Sequence, residues 1–178
     1  MEKNRQGLLH IYCGDGKGKT SAAVGMAVRA AGCGMKVLVI RFLKTENSGE
    51  VEVLRSIPGI TVPPCERTFG FVFRMTEEQK QEAALYYQSR FEAAAKEAVQ
   101  GQYDLLILDE ILASCNYGIV RETSVVEFLQ NRPEKLEVVL TGRNPSETFL
   151  ELADYVSEIC MRRHPYEKGI PARRGIEF

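Results

Sequence analysis

The sequence has no tryptophan and only two histidines, His10 and His164, so a histidine-rich metal centre is excluded. Its five cysteines, Cys13, Cys33, Cys65, Cys115 and Cys160, are odd in number and far apart, and no pair has metal-ligand or redox-motif spacing. They read as reduced thiols of a cytoplasmic protein, most of them buried by packing. An apolar run of about 18 residues and a basic-then-apolar leader are both missing, so neither a membrane span nor export is expected. Neither sign of charge prevails: 23 basic residues face 24 acidic ones, for a net charge of −1. General attraction to nucleic acid or to a membrane surface is therefore not expected. There is no Ser/His/Asp order and no nucleophilic cysteine signature, which removes the usual acid–base and covalent hydrolases.

What is present is an ordinary globular composition, 44% apolar and 26% charged, in a chain of 178 residues. That length suits one domain and buries roughly 70% of its unfolded surface. No repeat, low-complexity stretch or linker divides residues 1–178. Extended and helical patterns alternate along the chain. Strands are predicted at 8–13, 36–42, 103–110, 137–143 and 154–161, several of them nearly continuous in apolar residues, as strands covered on both faces are. A helix is predicted over 20–31, closed by Gly32 and Gly34. A short amphipathic piece precedes the turn "IPGI", and a capping box of Thr76 and Gln79 heads a long helix over 76–99. The alternation predicts an α/β fold, a parallel sheet with helices on both faces.

The chemistry gathers at strand ends. "CGDGKGKTS" at 13–21 fits the phosphate-loop pattern G-x-x-x-x-G-K-[ST] at Gly18, Lys19 and Thr20, but Cys13 stands where the first glycine belongs. Gly14 comes one residue late. A strand, a glycine loop and a helix in that order let the backbone N–H groups of residues 14–20 converge on phosphate oxygens at a helix N-terminus. Gly14, Gly16 and Gly18 permit the close approach, Asp15 and Ser21 flank it, and Lys17 adds a second charge. Lys19 is expected against the phosphates and the Thr20 hydroxyl on Mg²⁺. The plainer reading is a glycine-rich turn with two surface lysines.

"LLILDE" ends a buried strand in Asp109 and Glu110, either of which suits Mg²⁺ directly or through water. Alone it also reads as a solvated acidic loop. "TGR" puts Arg143 at another strand end, within reach of a terminal phosphate or simply on the surface. "GFVF" at 70–73 is an aromatic cluster whose pattern favours core. The basic tail, 162–178, is either solvated or an anion-binding flap. Residue patterns alone lead to an Mg²⁺–nucleotide-binding α/β protein.

With these residues in view, the chain resembles the ATP:corrinoid adenosyltransferases. The resemblance rests on the shortened loop "GDGKGKT", on "AAVGMAVRAAGCGMKVLVIRFLK", "GFVF", "LLILDEI", "NRP", "VVLTGRNP" and "LADYVSEI", and on the tail "RHPYEKGIPARRGIEF". It implies a P-loop NTPase-like, RecA-like fold in which the tail 162–178 packs near the site. It also implies ATP bound in reversed sense, so that Co(I) of a corrinoid attacks C5′ and expels triphosphate. Lys17, Lys19, Arg143 and a divalent ion (Mg²⁺ or Mn²⁺) on Thr20 with Asp109 or Glu110 would stabilise the leaving group. Phe71 and Phe73 would act on the corrinoid, Phe73 standing where the family usually has tryptophan. Arg41–Phe42 replaces a common Gln-Phe, and longer members carry more chain before the first strand. A homodimer and an electron donor such as a flavodoxin or reduced flavin are further implied. A P-loop kinase or ATPase and a non-catalytic nucleotide or corrinoid sensor are the alternatives.

Overall fold

The computed structural model describes residues 6–70 and 72–177. Six strands form one parallel sheet: β1 (Leu9–Cys13), β2 (Val37–Arg41), β3 (Ile60–Thr61), β4 (Leu105–Asp109), β5 (Glu137–Thr141) and β6 (Tyr155–Glu158). Their order across the sheet is β3-β2-β4-β5-β1-β6. The helices are α1 (Lys19–Gly32), α2 (Glu50–Ser56), α3 (Glu77–Gln100), α4 (Ile111–Asn116), α5 (Glu122–Asn131) and α6 (Glu147–Leu152).

Why the central strands are apolar throughout is evident from the two cores they feed. Leu38, Ile40, Leu106, Leu108, Val138 and Leu140 point to one face, against Tyr87 and Phe91 of α3, Leu112 of α4, Leu129 of α5 and Phe149 of α6. Val37, Val39, Leu105, Ile107 and Val139 point to the other, against Ala23, Ala27 and Ala30 of α1 and Val51 and Leu54 of α2. Alternate residues of one strand thus serve opposite cores, and polar residues buried in these strands, Arg41, Asp109 and Thr141, stand only at their carboxyl ends. Each fully buried leucine or isoleucine contributes about 1.5–3 kcal/mol. The alanine stripe of α1 lets that helix lie close to the sheet, which brings its N-terminus to the strand ends.

The long helix starts where expected. Thr76 accepts from the Gln79 N–H while the Gln79 side chain accepts from the Thr76 N–H, so the capping box forms in full. The short helices α4 and α6, and the two-residue β3, escape the sequence pattern because none exceeds two turns. The ten-residue α5, with Val125 and Leu129 on its buried face, is long enough to show a period and is not among the predicted elements. The sheet ends in an exposed edge: all four residues of β6 are accessible. Among the described residues no helix is long and apolar enough to cross a membrane.

The cysteines follow expectation by a narrow margin. All are unpaired thiols, yet only Cys13 and Cys65 are buried, while Cys33 and Cys160 are exposed. Packing accounts for three of the five, since Cys115 also lies against the core, whereas Cys33 and Cys160 lie just past the ends of α1 and β6 and outside both cores.

Candidate active site

In a parallel sheet the functional edge lies at the carboxyl ends of the strands, and backbone strain marks it here. Leu43, Glu110 and Asn144 take left-handed conformations (φ +52°, +62° and +49°) just past β2, β4 and β5. Non-glycine residues accept this conformation only where neighbours impose it. The chain turns sharply at three adjacent strand ends.

The glycine loop after β1 is held by the chain beyond β6. A Cβ on Gly14 would lie 2.4 Å from the Ile159 carbonyl oxygen and one on Gly16 2.6 Å from it, so no side chain fits at either position. The Gly16 N–H donates to that same carbonyl at 2.7 Å, and Asp15 Oδ1 accepts from the Met161 N–H at 2.8 Å. The Gly16 amide, expected to face phosphate, is therefore engaged elsewhere, because the edge strand delivers a carbonyl to it first. The bond to Met161 holds the Asp15 carboxyl below its usual range. Lys19 is buried and its ammonium donates to the carbonyls of Gly14 and Gly16, both at 2.9 Å, curling over the loop. Burial lowers its pKa, Glu110 opposes that, and the charges of Arg143 and Lys44 add to it. Gly18 (φ +126°) caps α1 without a side-chain bond, and the first turn carries no acidic residue. That leaves an uncompensated positive helix end for an anion. Lys17 and Ser21 are exposed.

Asp109 is the hub of the opposite wall. It is 1% exposed, and its Oδ1 accepts from the Thr20 hydroxyl at 3.0 Å and the Thr141 hydroxyl at 2.7 Å. Thr141 also accepts from the Glu110 N–H at 2.9 Å, fixing both carboxylate residues. β5 lies between β1 and β4 in the sheet, so its last residue is the natural bridge between loop and carboxylates. Of the two acids, Asp109 is the one bonded to Thr20. Glu110 caps α4, and burial and the neighbouring Asp109 charge raise its pKa against the pull of Lys44, Lys19 and Arg143.

Gly142 packs against α4, where a Cβ would meet Leu112 Cβ at 2.7 Å. Asn116 Nδ2 donates to the carbonyls of Arg143 (2.8 Å) and Asn144 (3.1 Å), pinning that turn. Arg143 is exposed, and its charge reaches Asp15, Lys19 and Glu110. The structure thus brings Lys19, Thr20, Asp109, Glu110 and Arg143 to one place. Two further residues belong there that the sequence did not single out, Thr141 and Lys44. The Lys44 ammonium lies 3.2 Å from Thr20 Oγ1 and 3.5 Å from Asp109 Oδ2. The register Arg41↔Asp109 was the only signal for Lys44, and a sequence does not reveal it.

The aromatic segment divides. Val72 is buried, as the pattern predicted for the cluster, but Phe73 is 74% exposed with the Arg74 guanidinium over its ring. The core reading fails for Phe73 because a short 3₁₀ turn, Val72–Arg74, directs only one of its residues inward. Phe71 lies outside the described residues. Beside this segment is a cavity of about 140 Å³ lined by Leu43, Thr45, Thr68, Phe69, Gly70 and Tyr87. In the tail nearly every residue of 162–177 is exposed, and Glu177 is held well below the usual carboxylate range by its hydrogen bonds with Arg173, with a small contribution from the Lys17 charge.

A six-stranded parallel sheet with a glycine loop, a lysine and a threonine at the head of α1, and an aspartate at the end of β4 defines a P-loop NTPase-like, RecA-like nucleotide-binding fold. The cytoplasmic domain of EssC is similar in fold alone, with a TM-score of 0.52 and 15% identity over 97% of this chain and 37% of that one. Residues 5–178 match the family model ATP:corrinoid adenosyltransferase BtuR/CobO/CobP, and the chain belongs to that family. It is 32% identical to a corrinoid adenosyltransferase of Pseudomonas aeruginosa, over 99% of this chain and 86% of that protein. Against those of Sinorhizobium sp and Escherichia coli strain K12 the identity is 33% and 32%, over 98% and 99% of this chain and 82% and 88% of theirs. The chain is an adenosyltransferase whose substrates are ATP and a corrinoid.

Proposed function

We propose that the chain transfers the 5′-deoxyadenosyl group of ATP to Co(I) of a corrinoid and releases all three phosphates together, as a step in making or salvaging adenosylcobalamin. The carbon–oxygen bond at C5′ breaks as the cobalt–carbon bond forms, and the bonding pair comes from cobalt, the substrate's own nucleophile. What carries this reading is the grouping of Lys19, Thr20 and Asp109 inside a chain that matches the family over residues 5–178. The reaction asks the protein to hold C5′ in line and to stabilise charge on triphosphate. Lys19, released from the loop carbonyls, and Arg143 supply cationic contacts. Gly14, Gly16, Lys17, Gly18 and Ser21 border the phosphate path, and Asp15 ties the loop to the chain beyond β6.

The donor set fits Mg²⁺ or Mn²⁺. The Thr20 hydroxyl and the Asp109 carboxylate are hard oxygen donors 3.0 Å apart, with a cationic ammonium already beside both. Among the described residues no group of three or more His, Cys, Asp or Glu could hold a metal. Phosphate oxygens and water are then the natural remaining ligands of such an ion. When bound it would neutralise charge on the triphosphate. Thr20 and Asp109 would hold it directly, and Glu110 through water.

Phe73, and Phe71 with it, would present an apolar surface to the corrinoid, and the tail 162–178 would lie over the site. A homodimer, an electron donor such as a flavodoxin or reduced flavin, and a cytoplasmic location complete the proposal, with no nucleic acid or membrane partner. The chain acts as a single domain. Anaerobic incubation with Mg-ATP and Co(I) cobalamin should give one triphosphate per photolabile cobalt–carbon bond. ADP as the main product, seen by phosphorus NMR without a photolabile corrinoid, would instead assign a kinase or ATPase.

A further inference from the structure

Three oxygens and one nitrogen meet at the end of β4. The Thr20 hydroxyl donates to Asp109, at 3.0 and 3.3 Å from its two carboxylate oxygens. It accepts in turn from the Lys44 ammonium, which is also 3.5 Å from Asp109 Oδ2. Lys44 therefore sits on the same two donors that suit a divalent cation.

Its placement is built and not incidental. Phe42, buried before the turn, donates its N–H to the Asp109 carbonyl at 2.9 Å. Leu43 then adopts φ +52°, which turns the chain back toward β4. On the far side Arg41, 1% exposed, donates to the Thr45 carbonyl at 2.9 Å and to Glu46 at 2.6 Å. Glu46 is gripped again by Arg55 at 2.7 Å and by the Cys65 N–H at 2.7 Å. Lys44 is thus fixed from both sides, while its own side chain remains 26% exposed and able to swing.

We propose that Lys44 is a resident counter-cation for the metal position: it neutralises Asp109 in the metal-free protein and yields to the divalent ion that arrives with ATP. This rests on the reading of Thr20 and Asp109 as the metal pair. Without Lys44, metal-free ATP meets an uncompensated Asp109 carboxylate and is repelled. With Mg²⁺ present the ion itself cancels that charge. Loss of the ammonium therefore weakens metal-free ATP binding more than Mg-ATP binding.

The test is a set of ATP dissociation constants measured in EDTA and in excess Mg²⁺, for the unmodified protein, Lys44→Met and Lys44→Gln, each checked for folding by thermal melt. The factor by which Mg²⁺ tightens ATP binding should rise about tenfold in both variants, as expected for a lost charge-assisted contact. An equal weakening in both buffers would make Lys44 a plain phosphate contact and overturn the proposal, as would no change at all. Asp109→Asn, with Thr20→Ala as a second route should it misfold, separates the two ideas. If these variants keep the full Mg²⁺ effect, the metal-pair reading itself fails. If they lose it while the Lys44 variants behave like the unmodified protein, only the counter-cation proposal fails.

Discussion

Around Asp109 each side chain is held by another: Thr20, Thr141 and Lys44 converge on it, and Glu46 braces the turn that carries Lys44. Around Phe73 the situation is reversed, with the ring 74% exposed and the tail beyond β6 open to solvent nearly throughout. The phosphate-loop side is preorganised before any ligand arrives, and the aromatic side presents surface. Under the proposed function that difference suits the two substrates. Triphosphate is a small, charged object whose recognition needs fixed dipoles and cations. A corrinoid offers a broad ring face bordered by polar side chains, and that face is gripped largely by area. The strain at Glu110 and Asn144 belongs to the phosphate-loop side, while Leu43 stands between the two, since it also lines the cavity beside Phe69.

The contrast breaks most sharply at Lys19. Replacing it with alanine should cut adenosyl transfer roughly 10- to 100-fold, the scale of a lost charge-assisted contact. The protein should still fold, its melting temperature lowered by several degrees because the Gly14 and Gly16 carbonyls lose their donor. A folded Lys19→Ala protein with normal turnover would deny the phosphate half its role. Phe73→Ala addresses the other half. Because the ring is exposed, stability should change by no more than about 0.5 kcal/mol. The KM for corrinoid should rise about threefold to tenfold, for loss of an apolar contact, with the KM for ATP unchanged. Equal changes in both constants would mean the two halves are not separate.

Glu46→Gln is the smallest of the three in activity and reads instead on stability. Burial alone would raise the Glu46 pKa, but the Cys65 N–H and the guanidiniums of Arg55 and Arg41 outweigh it and leave it at about 2. A carboxylate depressed in the folded state stabilises above its unfolded pKa and loses that contribution as pH falls toward the folded value. The variant should therefore be less stable at neutral pH by about 1–2 kcal/mol, a partly buried pair discounted for solvent screening. The gap between the two proteins should close as pH falls from the ordinary carboxylate range toward about 2. A gap independent of pH would show that Glu46 acts by shape and not by charge. Arg41 makes the loss costly, since among the described residues its Nε already lacks a partner and Glu46 balances its charge.

Short windows of sequence were enough for five of the six strands, the glycine loop, the capped long helix and the carboxylates closing β4. Apolar alternation, glycine placement and capping act within a few residues of one another and can be read without knowing what lies opposite. The family, too, followed from linear motifs. Tertiary structure alone decided which acid meets Thr20, that Thr141 bridges the two carboxylate residues, that Lys44 stands beside them, and that Ile159 takes the Gly16 amide. Each of those contacts joins strands or turns whose adjacency is set by the order β3-β2-β4-β5-β1-β6. Insertion of β5 between β1 and β4 places Thr141 where it is, and the pairing of β2 with β4 brings the turn after Arg41 to Asp109. Strand order is fixed by the packing of two whole cores, so no local stretch of the chain encodes it.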